Sequence, residues 1–328
     1  MIITAYDQNR NYCLDNLKFV LITLVVLGHF WGAYMQQNVF FDTVVTCIYS
    51  FHMPLFVFLS GFFAKPGSFR KLAGNTLFPY LIFFFLWQGK EFIHSKTFHF
   101  SIFNPPFHLW YLLSLFFWNL ALPFAKRIRY ALLLSLVISL LAGCSQMISG
   151  NAFVERTLTL FPFFTMGTLC TEERLLSMSK SKILISAGVI ALIFIAWEVV
   201  HHQINFVFLL WDRSYMGNGY GLWVGMGFRA LLILAALSIS ILVLAMIPAR
   251  KTFFTSWGAR TLPIYIFHGF IYPSFVAHFG VWGRSIIDNS IILLFPFFLT
   301  WFLSLPIFEF GYRLMIFKPM HQNRQKKS

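Results

Sequence analysis

The chain has 328 residues, 58% of them hydrophobic and 11% charged, with a mean hydropathy of +0.71. Soluble domains carry about 25% charged residues, so the composition excludes a soluble globular domain and describes an integral membrane protein. The formal charge of +14 would suit a nucleic-acid binder, but it falls on alternate loops, which is the pattern of membrane topology.

Apolar segments follow one another at roughly 17–35, 43–63, 73–92, 106–125, 130–148, 153–171, 183–201, 221–247, 261–280 and 290–313. The expected fold is therefore an all-α integral membrane protein of about ten transmembrane helices. Arg10, Lys65, Arg70, Lys71, Lys126, Arg127 and Arg129 fall on one side. So do Arg174, Lys180, Lys182, Arg250, Lys251, Arg260 and the tail residues Lys318, Arg324, Lys326 and Lys327. The opposite loops hold only Lys90, Lys96, Arg213 and Arg284. The positive-inside rule then makes both termini cytoplasmic, which an even number of spans satisfies. Residues 1–16 form a cytoplasmic N-terminus, 17–313 the membrane domain and 314–328 a basic cytoplasmic tail. No small-x-small cleavage site follows the first run, so it reads as a retained span. Cys13, Cys47, Cys144 and Cys170 are scattered without a CxxC pair and read as small apolar residues, neither disulfide nor metal ligands. The run GNGYGLWVGMG (217–227) follows no predicted strand and enters a span, which points to close helix packing, not to a nucleotide loop.

The first span, DNLKFVLITLVVLGHFWGAYM (15–35), carries two residues that lipid disfavours: Lys18 at its entrance and His29 well inside. At about 100° per residue the positions 18 and 29 return to within roughly 20° of each other, so both point from one face. They stand roughly 16 Å apart along the axis, too far to touch but suited to two ends of one long molecule. An ionisable residue inside a span costs a few kcal/mol and marks a functional candidate. The structural alternatives are a snorkelling anchor for Lys18 and an interhelical hydrogen bond for His29.

The second span contains FHMPLFVFLSGFF (51–63), where Pro54 is expected to kink the helix. His52 comes at the same depth as His29, roughly 18 Å from the inner boundary. The fourth opens with FHLWYLLSLFFW (107–118), placing His108, Trp110 and Tyr111 roughly 20–25 Å from that boundary. They read as an interfacial aromatic belt or as the lining of an outer mouth. In the ninth, RTLPIYIFHGF (260–270) sets His268 about 12 Å in. Arg229 inside the eighth needs a counter-charge, and Glu198 is the candidate at similar depth.

Asp15 and Glu198 stand near or inside spans, but a chain of intramembrane carboxylates of the pump type is missing, as are a metal-ligand spacing such as HExxH and a GxSxG elbow. What remains is a buried histidine able to deprotonate a hydroxyl as that hydroxyl attacks a thioester. Lys18, Arg70 and Lys71 at the inner mouth suit the phosphates of a cytoplasmic donor. Apolar walls would keep water from hydrolysing that donor.

The run LDNLKFVLITLVVLGHF, the segment FHMPLFVFLSGFF, the phrase HLWYLLSLFF and the late IYIFHGF, in this order, resemble the acyltransferase-3 family of membrane O-acyltransferases. The likeness covers nearly the whole chain and is greatest to the branch of fucose 4-O-acetylases and acetylases of bacterial surface polysaccharides and nodulation factors. That family carries a basic residue, ten residues and a histidine in its first span, matched by Lys18 and His29. The resemblance implies that His29 is catalytic and that Lys18 acts in donor binding or site geometry. It implies acetyl-CoA as co-substrate without a bound cofactor, and a cell-surface carbohydrate or lipid-linked glycan as acceptor. The setting it implies is the bacterial inner membrane, with a partner in glycan assembly. Arg70 and Lys71 then serve the donor, while His52, His108, Trp110, Tyr111 and His268 orient His29 or shape the acceptor end. A second arginine that usually precedes the PY of the third span is replaced here by Gly74 or Asn75. Some relatives add an extracellular esterase-like domain; none is visible here, so transfer is expected directly to the acceptor or to a separate partner.

A second reading is a glycan or lipid-linked-sugar transporter whose histidines bind without covalent change. A non-catalytic scaffold accounts for the hydrophobicity but leaves the Lys18–His29 face unexplained.

Overall fold

The computed structural model describes residues 11–96, 101–106, 108–146, 151–201 and 205–325, with side chains followed to residue 316 apart from 94–95. Residues 1–10 of the predicted N-terminal segment, 326–328 of the basic tail, and the side chains of Lys318 and Arg324 thus lie outside the description. The described residues are helical, with no strand among them.

The helices are α1 (Tyr12–Gly32), α2 (Val39–Phe63), α3 (Phe69–Leu72), α4 (Phe78–Ser95), α5 (Trp110–Arg127) and α6 (Ala131–Ala142). They continue with α7 (Ala152–Thr159), α8 (Phe161–Leu169), α9 (Glu172–Met178), α10 (Lys182–Val200), α11 (Leu222–Met246), α12 (Thr261–Phe279), α13 (Ile286–Leu303) and α14 (Pro306–Gln325). Among them α1, α2, α10, α11 and α13 are both long enough and apolar enough to cross a bilayer.

Several predicted segments break where hydropathy stays high. The segment 153–171 divides into α7 and α8 at Leu160, with Pro162 in the first turn of α8, where its missing N–H has no helical partner to lose. The segment 290–313 divides after Leu303, and Pro306 starts α14. Among the described residues of segment 130–148, α6 spans twelve and ends at Ala142, and α5 starts at Trp110, so His108 precedes its helix. Between α3 and α4 lies a π turn, Ala73–Leu77. Pro54 does not interrupt α2, which runs unbroken through it.

The centre of the bundle is α1. Its apolar stretch is 67% buried inside the protein, against 17% for the peripheral α10. Asn11 caps it by accepting from the Leu14 amide at 3.2 Å. At that end the Asn16 amide donates to the carbonyls of Pro248 (2.8 Å) and Arg250 (3.0 Å), while its oxygen accepts from Thr252 and Thr255. At the other end Trp31 donates to the Ile292 carbonyl (3.1 Å) and Tyr34 to that of Phe279 (2.7 Å). These bonds fix one end of α1 to the segment before α12 and the other end to α12 and α13. The α2–α8 crossing relies on two glycines: a Cβ on Gly61 would overlap the Phe164 carbonyl, and one on Gly167 the Phe58 carbonyl. In the run 217–227, Gly225 meets the Tyr215 ring in the same way, so close packing is the role of that glycine.

Candidate active site

On α1, Lys18 and His29 do share a face, but His29 finds its partner on α12. His29 Nδ1 lies 2.8 Å from His268 Nε2, with the rings stacked 5.1 Å apart. The roles follow from the next bond. His268 Nδ1 is 2.9 Å from the Ile264 carbonyl, one turn back on α12, and a carbonyl only accepts. The proton of His268 therefore sits on Nδ1, and its Nε2 must accept from His29 Nδ1–H. That tautomer leaves the lone pair of a neutral His29 on Nε2. His52, His108 and His268 are at most 1% exposed, whereas His29 keeps accessible surface.

Residue counting places His268 nearer the Lys18 end than His29 and His108 farther from it. The structure instead draws all three together, His108 standing 5.5 Å from His268 between ring centroids. The 3-10 turn Trp257–Arg260 precedes α12, and His108 comes in from the loop before α5. Gly269 makes the approach feasible, since a Cβ there would lie inside the His108 ring. The Tyr265 hydroxyl donates to the His108 carbonyl. His52, expected in one layer with His29, turns its Nδ1 to the Ile48 carbonyl (2.7 Å) and packs on Tyr49.

A cavity of about 430 Å³ opens at the Lys18 end. Lys18, Lys65 and Lys71 stand in its wall, Leu59, Leu72 and Leu115 line its sides, and Ser60, Tyr111 and Tyr265 are among its lining. Among the described residues no carboxylate lines it. Lys18 is held by Asp15 at 2.8 Å and lies over the Phe63 ring. Arg70, expected beside Lys71, is exposed and outside this wall; successive residues on the short α3 diverge by about 100°, and Lys65 stands in the cavity instead. Tyr111 also departs from its expected place at the far mouth. Its hydroxyl bonds Ser60, and its ring faces that of Tyr265 at 5.5 Å. Tyr265 in turn lies 6.3 Å from His268, so the histidine pair stands one ring beyond the cavity lining.

On the other flank the structure adds residues that the sequence reading passed over. Arg156 of α7 lies over Trp110, 5.1 Å from the ring centroid. Its Nη2 donates to Asp212 at 2.6 Å and its Nε to the Leu210 carbonyl at 3.1 Å, and it remains 17% exposed. The field of this guanidinium reaches His29, Tyr49 and Tyr265. A charge within the apolar segment 153–171 was the available signal. Arg229 does not use Glu198. Fully buried, its guanidinium lies 4.9, 5.1 and 5.6 Å from the rings of Phe208, Trp211 and Tyr215, with Glu155 and Asp212 as the acids around it. Among the described residues no group of three His, Cys, Asp or Glu side chains is placed so that it could hold a metal ion.

Comparison with known proteins places this geometry in a family. The chain is 34% identical over 91 residues to a nodulation protein NolL of Sinorhizobium fredii, covering 26% of this chain and 25% of that protein. It is 36% identical over 70 residues to a nodulation protein NolL of Mesorhizobium japonicum, covering 20% and 19%. The chain thus aligns with a quarter or less of each relative's length. No solved structure matches it. The family described as "Acyltransferase domain" matches residues 11–309, nearly the whole chain and all of the site, and the chain belongs to that acyltransferase family, as the four sequence motifs imply.

Proposed function

We propose that this protein is a membrane O-acetyltransferase that moves an acetyl group from cytoplasmic acetyl-CoA to a hydroxyl of a cell-surface carbohydrate. The observation that carries the reading is the His29–His268 hydrogen bond. Together with the His268–Ile264 bond it presents a basic Nε2 on the one accessible histidine of the cluster. Family membership supports acyl transfer as the chemistry. The reading puts ten spans in the inner membrane of a bacterium, with both termini and the Lys18 cavity on the cytoplasmic side. Lys65 and Lys71 of that cavity belong to a connection with the cytoplasmic charge bias.

Lys18, Lys65 and Lys71 attract the donor's phosphates, and the apolar sides of the cavity take its pantetheine arm. The acceptor enters on the flank of Trp110 and Arg156, where an aromatic face and a fixed guanidinium suit a sugar ring. His29 Nε2 removes the proton of the acceptor hydroxyl as its oxygen bonds to the thioester carbonyl carbon. The tetrahedral intermediate collapses, the carbon–sulfur bond breaks, and His29 returns the proton to the departing thiolate. The products are the acetyl ester and free CoA. His268 holds the His29 ring and stabilises its charged form, as an orienting acceptor does in a nucleophile–base–orienter array.

The test is proton NMR of surface glycan from a deletion strain complemented with wild type or with His29→Ala. Acetyl signals lost on deletion, restored by wild type and absent with a normally expressed His29→Ala are expected, a rate loss of roughly 10²–10⁴-fold. Acetyl signals unchanged by deletion, with glycan export altered, would replace this reading with transport.

A further inference from the structure

A second groove, of about 350 Å³, lies beside the Lys18 cavity. Asn75 and Leu262 line both, so the two share a rim. The groove is walled by Arg260, which ends the 3-10 turn before α12, by Glu309 and Arg313 of α14, and by Gly74 and Asn75. Those last two sit in the π turn Ala73–Leu77. Single π turns inside helices are rare and concentrate at functional sites. Here the turn brings Gly74, a residue without a side chain, to the groove wall.

The charges are arranged for an anion. Glu309 accepts from Arg260 Nε at 3.1 Å through one oxygen, and from Arg313 Nε (3.0 Å) and Nη2 (2.6 Å) through the other. Arg260 Nη1 donates to the Ser304 carbonyl at 3.2 Å. One carboxylate therefore fixes two guanidinium groups, and a positive charge is left over. Arg260 Nη2 and Arg313 Nη1 make no hydrogen bond within the described residues. Around the two cavities stand Lys18, Lys65, Lys71, Arg260 and Arg313, against Glu309 as the single carboxylate among the described residues of their linings. Lysines act as mobile point charges, whereas a pre-oriented arginine fork matches the geometry of a phosphate monoester.

We propose that this groove is the subsite for the ribose 3′-phosphate of the donor, with Arg260 and Arg313 as its ligands. The inference rests on the reading that the donor is an acyl-CoA. The thioester arm then runs up the apolar cavity toward Tyr265 and the histidines, while the nucleotide end folds over the Asn75–Leu262 rim. The division follows from chemistry: the uncharged arm takes the apolar walls, and the dianionic monoester takes the paired guanidinium groups.

The experiment measures equilibrium binding of coenzyme A and of 3′-dephospho-coenzyme A to the full chain in lipid nanodiscs. Wild type is expected to bind coenzyme A roughly tenfold or more tighter than the dephospho form. Arg313→Ala should cut that ratio to below about threefold, by weakening coenzyme A alone. The Arg313 side chain is 64% exposed, so its loss leaves the fold intact, and Arg260→Gln gives an independent second wall. Equal binding of the two compounds by wild type, or a ratio unchanged in both variants, overturns the subsite while leaving the acyl-CoA reading in place. Binding of neither compound by folded wild type overturns both.

Discussion

The proton inventory of His29 is set by a residue far away in the chain. Isolated imidazole exchanges its proton between two nitrogens; here the Ile264 carbonyl and His268 select one arrangement. Replacing His268 by phenylalanine should lower kcat by roughly 10–100-fold, the cost of losing an orienting partner, with donor affinity unchanged. His268→Gln retains an amide oxygen able to accept from His29 Nδ1–H, and should recover most of the rate. Initial rates together with donor binding separate the two variants; equal losses in both would refute a positioning role. His29 itself was visible in the sequence because an ionisable side chain stands out in an apolar run. His268 was visible too, but the pairing was not, since 239 positions separate the partners. The charge on Arg156 was equally legible, yet only its bond to Asp212 and its stacking on Trp110 make it part of the site.

Helices in this protein are defined as much by their crossings as by their hydropathy. The Gly61–Gly167 contact between α2 and α8 leaves no room for a methyl group, because the neighbour on each side is backbone. Gly61→Ala should therefore destabilise the protein by about 1–3 kcal/mol through overpacking, and lower its thermal unfolding temperature in detergent. Gly89→Ala, on an exposed position of α4 with open space around it, should instead raise stability by about 0.5–1 kcal/mol through helix propensity. Opposite signs from the same substitution on two helices are the expected outcome. Hydropathy located the apolar segments but passed over the break at Leu160 and the stop after Leu303, because both neighbours of each break are apolar. Pro162 and Pro306 mark them, each at the start of the following helix, where the missing N–H has no helical partner to lose; Pro54, inside an unbroken α2, shows that a proline alone is not such a mark.

Across the whole molecule, basic residues gather at one end of the bundle, where the lysine cavity and the arginine groove open. The histidine cluster stands one ring beyond the cavity lining. In a cysteine-free background, Arg284→Cys should react with an impermeant maleimide on intact cells, and Lys180→Cys only after permeabilisation. The reverse pattern would invert the membrane orientation. Both positions are exposed, so labelling reports the side of the membrane. The sequence by itself determined the solvent: long apolar runs with few charges inside them demand helices in lipid, since every backbone polar group there must be satisfied within its own segment. It also determined which side chains were too polar for that solvent to ignore. Only the tertiary structure decided which of them meet. His29 joins His268 and His108 while His52 turns to its own helix, Lys71 enters the cavity while Arg70 stays outside, and Arg229 lies among aromatic rings near Glu155 and Asp212. Periodicity is a property of consecutive residues and fixes the face from which a side chain leaves. Convergence depends on crossing points, bare glycines and helix starts contributed by segments remote in the chain.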